Sequence, residues 1–102
     1  MKFSFHPEAR FELNQAAEFY QTKESNLGLE FLEDVYSAIT RILEFPNSFP
    51  KFTTNTRRCL VNRFPFAIIY QIRDNEIFIL AITHLSRKPG YWKERMDKKN
   101  NE

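Results

Sequence analysis

Two hydrophobic rhythms divide the chain. Up to Pro46 most apolar positions recur at helical spacing, and beyond Thr56 they crowd or alternate as strands do. Lys2–His6 reads as a short strand with Phe3 and Phe5 on one face. Pro7 suits the first turn of a helix, where its missing N–H is not needed. Ala9, Leu13, Ala16, Ala17 and Tyr20 then predict a helix over about Pro7–Thr22. Ser25, Asn26 and Gly28 break the pattern at a point where they could cap the next element. Phe31, Leu32, Val35, Ala38, Ile39, Ile42 and Leu43 give the cleanest amphipathic helix, which Pro46 stops. Asn47–Thr56 is polar, bears a proline and reads as a loop. Three strand-like runs follow: Arg58–Arg63, Phe66–Ile72 and Glu76–Thr83. The last is apolar enough for a central strand buried on both faces. Asp74-Asn75 is two-residue hairpin chemistry, because both residue types tolerate positive φ. The order is β-α-α-β-β-β with a short C-terminal helix or turn from Ser86. It predicts an α+β domain, two helices packed on one face of a small, mainly antiparallel sheet. The other face, or a sheet edge, is then left for a partner.

Composition fits one domain. The chain has 102 residues, 42% hydrophobic and 16% aromatic, with 11 Phe, so a single core without cross-links is within reach. Residues 1–95 are expected to form that domain and the polar run 96–102 to fray. The single Cys59 cannot form an internal disulfide, which suits a reducing cytoplasm. MKFSFHPEARFE holds no apolar signal-peptide core, and no run is long enough to span a membrane.

Charge adds an asymmetry. Residues 1–50 carry four Lys/Arg against eight Asp/Glu, net −4; residues 51–102 carry eleven against five, net +6. Between Lys51 and Arg73 there is no acidic residue. Such a half is the footprint of a nucleic-acid or acidic-protein partner, and equally that of a solvated basic face.

Candidate chemistry lies in the basic half. Arg57, Arg58, Arg63 and Arg73 fall on or beside the sheet, either to protect its edge or to grip phosphate with the guanidinium fork. Arg57 and Arg58 must point to opposite faces of a strand. The stretch from Thr83 to Arg95 holds His84, Arg87, Lys88, Tyr91, Trp92, Lys93 and Arg95 directly after the most buried strand. Cations interleaved with rings suit RNA. The plainer alternatives are a hydrogen-bonded His84 at a strand end, Trp92 closing the core, Ser86 capping a short helix and Arg95 complementing its dipole. There is no glycine-rich phosphate loop, no zinc-ligand spacing and no carboxylate cluster for a metal, so no cofactor is expected.

Over nearly its whole length the chain resembles the RelE/ParE superfamily of toxins from type II toxin–antitoxin, or plasmid-stabilisation, systems. The matching pieces run in order: Phe5-His6-Pro7-Glu8-Ala9 with Leu13, Gly28-Leu29-Glu30-Phe31, Ile42 to Pro46, and Arg57-Arg58. Then come Arg63-Phe64-Pro65-Phe66, Tyr70, Ile72 and the run His84-Leu85-Ser86-Arg87-Lys88-Pro89-Gly90-Tyr91-Trp92. The resemblance implies a toxin neutralised by a co-expressed antitoxin whose flexible segment wraps it. RelE-like members cut mRNA on the ribosome without a metal; ParE-like members inhibit DNA gyrase and need no active site. For RNA cleavage the assignment is His84 as acid/base group, Arg58, Arg63 and Arg87 on phosphate, and Tyr91 stacking on a base or sharing the acid role. Arg58 and Arg63 cannot both face one site on a regular strand. The sequence departs from the best-known RelE pattern: only Lys51 stands where a lysine-rich segment would, and seven residues without an aromatic follow Arg95. RNA cleavage is the first expectation, with gyrase inhibition or an inactive antitoxin-binding module as alternatives.

Overall fold

A computed structural model describes residues 1–96. Strand β1 (Lys2–Phe5) leads into helix α1 (Pro7–Lys23), then α2 (Leu27–Glu44), β2 (Lys51–Thr53), β3 (Thr56–Leu60), β4 (Phe66–Arg73) and β5 (Glu76–His84). A 3-10 helix at Tyr91–Arg95 closes the described chain. Residues 97–102, most of the expected tail, lie outside the described residues; Met96 packs against the cluster around Trp92.

Among the described residues the strands form one sheet in the order β1-β5-β4-β3-β2. All neighbours are antiparallel except β1 and β5. The α+β expectation holds, with two corrections. The run read as a loop contains strand β2, too short and polar to show a pattern, held by Lys51 pairing with Arg57 and Thr53 with Thr56. The run read as a strand to Arg63 ends at Leu60. Arg63 sits beyond it at φ 66°, where no strand can continue.

Both helix termini follow from local chemistry. His6 caps α1 through Nδ1, which accepts from the Glu8 N–H at 3.0 Å. Asn26 enters α2 in the left-handed region at φ 72°. Gly28 is inside α2 rather than at its cap. A methyl group there would stand 2.5 Å from the Ala17 carbonyl oxygen, so its absence lets the helices close on each other. The β4–β5 hairpin turns on Asp74 and Asn75, both at positive φ.

One irregularity governs the sheet's two faces. Ile69 pairs with Ala81 and Tyr70 with Ile79, so Leu80 is an extra residue in β5. Strict alternation would separate Ile82 from Ile77 and Ile79. With the bulge all three join the core beneath the helices, with Leu13, Phe31, Val35 and Ile39. Leu80 and Ala81 turn to the opposite face, where Ile69 and Trp92 form a second buried cluster.

Candidate binding site at the end of strand β5

β1 covers only half of β5. Its register ends at Phe5 opposite Ile79, and the His6 N–H bonds the Ile79 carbonyl as the chain leaves for α1. The next polar groups along that edge take side chains instead. Glu12 Oε1 accepts from the Ile82 N–H at 3.0 Å, and Arg95 donates to the Leu80 carbonyl at 3.0 Å. Glu12 and Arg95 also form a two-pronged pair at 2.9 and 3.0 Å, each side chain only 12% exposed. Burial opposes the Arg95 charge, but the bond and attraction to Glu12 prevail and raise its pKa above the ordinary value. This clamp ties α1, the bulge and the 3-10 helix together. Glu12 carried a signal in the sequence: it falls between Ala9, Leu13 and Ala16 on the buried face of α1, where a carboxylate needs a partner.

Arg87 reaches the same carboxylate at 3.4 Å and lies over the Tyr91 ring at 3.5 Å. The turn from His84 to Arg87 is closed by the Arg87 N–H on the His84 carbonyl at 3.0 Å. His84 Nδ1 accepts from the Ser86 N–H at 3.0 Å and sits 2.8 Å from Ser86 Oγ. A backbone N–H can only donate, so the neutral ring carries its proton on Nε2. The ring lies edge-on to Phe66 at 5.2 Å.

Arg58 approaches from β3, on the face opposite the helices, with its guanidinium over Phe52 at 4.7 Å. Arg58, His84 and Arg87 together line a cavity of about 50 Å³ whose other walls include Phe52, Ile69 and Trp92. Around the end of β5, His84 and Arg87 also border a groove of about 300 Å³ floored by Ala16, Phe66 and Ile82. The exposed Phe11 and Phe19 flank that groove.

The five expected site residues therefore do not form one centre. Arg58, His84 and Arg87 converge. Arg63 does not: its guanidinium is held on α2 by Asp34 at 2.8 and 3.0 Å, and its pKa is raised by that bond. Tyr91 touches Arg87, but its hydroxyl is buried without a hydrogen-bond partner among the described residues, and burial pushes its pKa up. Arg87 and Arg95 both lie against its ring. Trp92 is buried in the second core, and Arg57 donates to the Asn47 and Phe49 carbonyls, fastening the segment between α2 and β2. Among the described residues no three His, Cys, Asp or Glu side chains converge to hold a metal, and no helix is long and apolar enough to cross a membrane.

The profile of the family described as the ParE toxin of the type II toxin–antitoxin system parDE matches residues 3–89. A solved chain titled "Chromosomal ParDE TA system from P. aeruginosa" superposes with a TM-score of 0.74. The two are 19% identical over 84% of this chain and 97% of that one, a likeness of fold. No curated protein matches this sequence.

Proposed function

Because the chain belongs to the family of ParE toxins of type II toxin–antitoxin systems, we propose that it arrests growth by binding DNA gyrase in the cytoplasm, without cleaving RNA. A cognate antitoxin keeps it inactive. One observation carries this reading: the groups an RNA-cleaving centre would need are dispersed or engaged. Arg63 is bound to Asp34, Arg87 reaches Glu12, the Tyr91 hydroxyl is enclosed and His84 Nδ1 accepts from Ser86. Efficient phosphoryl transfer by side chains needs donors and cations preorganised around one point. Inhibition by binding needs only an exposed surface that suits the partner, and the basic second half carries exposed charges at Lys51, Lys88 and Lys93.

The second reading, mRNA cleavage on the ribosome, is favoured by the meeting of Arg58, His84 and Arg87 around one cavity. Induced expression separates the two. DNA breaks and an SOS response with intact mRNA, together with inhibition of supercoiling by purified gyrase, are expected. Codon-positioned mRNA ends without DNA damage would overturn the gyrase reading. A chain that is harmless when expressed alone would overturn both.

A further inference from the structure

Arg58 differs from the other arginines near the end of β5. Arg87 and Arg95 are matched by Glu12, whereas Arg58 makes no ion pair among the described residues. Phe52 beneath its guanidinium restricts where that charge can go. Arg58 shares its cavity with His84, whose Nε2–H has no partner among the described residues. One wall is Trp92, whose indole N–H is buried and also unpartnered there. A buried polar group without a partner is uncommon in a native fold and points to something that completes it.

We propose that this cavity is a carboxylate site, which receives one Asp or Glu side chain from a protein partner, the antitoxin of the reading above. Size is the first argument. About 50 Å³ holds a few waters at roughly 10–15 Å³ each, the scale of a carboxylate head group. The walls are the second: Phe52, Ile69, Leu85 and Pro89 offer apolar surface to the stem of an acidic side chain and to an apolar neighbour. The third argument selects protein over RNA. Sequence-tolerant RNA binding uses free aromatic faces for bases. Here Phe52 lies against Arg58 and Trp92, and Tyr91 lies against Arg87 and Arg95. The fold already shows the chemistry a second time, since the Glu12 carboxylate is held by Arg87 and Arg95 next door.

The test uses the full chain, labelled with nitrogen-15. Trp92 is the only tryptophan, so its indole N–H gives one unambiguous resonance, read beside the Arg58 Nε–H. The probes are N-acetyl-glutamate methylamide, the glutamine analogue, inorganic phosphate and the dinucleotide UpU. The glutamate probe is expected to shift both resonances saturably, and the glutamine analogue to bind roughly tenfold more weakly, the loss of one charged hydrogen bond. Arg58→Gln should weaken the glutamate probe by a similar factor. Arg58→Lys, which keeps the charge but not the fork, should fall between, and Arg63→Gln should bind as wild type. Circular dichroism confirms that each variant folds. No saturable shift, equal response to the glutamine analogue, or tighter response to phosphate or UpU overturns the proposal. The toxin reading is judged separately by growth arrest. A harmless chain that binds the glutamate probe sinks that reading alone, and a toxic chain that ignores the probe sinks the carboxylate site alone.

Discussion

Replacing Glu12 tests whether one carboxylate holds the end of β5 together. Glu12→Ala removes the acceptor for the Ile82 N–H, for two Arg95 donors and for Arg87. Removing one member of a buried ion pair destabilises by about 3–5 kcal/mol, because the other charge is stranded. The lower end applies here, since Arg95 keeps the Leu80 carbonyl and both side chains retain 12% exposure. The Arg87 contact, more than half exposed on the arginine side, adds at most about 1 kcal/mol. Stranding the Ile82 N–H contributes about 1–3 kcal/mol, overlapping with the first figure because all these groups share one carboxylate. About 3 kcal/mol is therefore expected for Glu12→Ala. Glu12→Gln keeps an acceptor for Ile82 and loses the charge, so about half that loss is expected. With a urea slope of roughly 1–3 kcal/mol/M, the alanine variant's midpoint should fall by about 1–3 M. Urea unfolding followed by Trp92 fluorescence reads this directly, since Trp92 lies in the 3-10 helix that Arg95 anchors. The reasoning is refuted if Glu12→Ala stays within about 0.5 kcal/mol of wild type, the ordinary range for a surface substitution. If glutamine and alanine cost the same, the Ile82 bond contributes nothing.

Three further outcomes follow from the geometry. Gly28→Ala should destabilise by about 1–3 kcal/mol despite alanine's higher helix propensity, because the new methyl meets the Ala17 backbone oxygen at 2.5 Å; a stabilised variant in thermal unfolding would contradict the close helix approach. Tyr70 is buried, its hydroxyl donates to the Pro46 carbonyl at 2.7 Å, and burial pushes its pKa from 10.0 up to about 12. Above pH 10 the unfolded chain gives up this proton first, so it binds fewer protons than the folded one, and stability is lost as pH rises from about 10 to about 12. Tyr70→Phe should flatten that limb of the pH–stability curve, and an unchanged limb would refute the assignment. Arg63→Ala should leave growth arrest within about twofold of wild type, since the guanidinium faces α2 and not the cavity; loss of toxicity in a variant that still folds would return Arg63 to the target-binding surface.

The local elements were legible because each has a signal that acts at short range. The apolar stripe of α2, Pro7 at the start of α1, the Asp74-Asn75 turn and the apolar run of β5 all carry their own stereochemistry. The family resemblance was legible for the same reason, as an ordered set of short motifs from Phe5 to Trp92; the family match covers residues 3–89. β2 was not, because a three-residue strand has no periodicity and exists only where β3 offers it an edge. Arg63 was misread with the strand because the chain's departure at Leu60, and the pull of Asp34 29 residues earlier, are not written in its neighbours.

The site depended on longer-range facts. The sequence alone determined that a basic, aromatic segment carrying His84 and Arg87 follows the most buried strand. Tertiary structure decided which other groups meet them. The extra residue at Leu80 reverses the facing of everything after it in β5, so no alternation count can assign Ile82 or His84 to a side. The end of β1 at Phe5 leaves part of the β5 edge bare, and Glu12, 70 residues from Ile82, fills it. Arg58 reaches the cavity because β3 pairs with β4, and Arg63 does not because α2 holds it. Side-chain identity sets what chemistry is available, but the pairing of distant strands and helices sets which charges become neighbours, where Coulomb attraction is strongest.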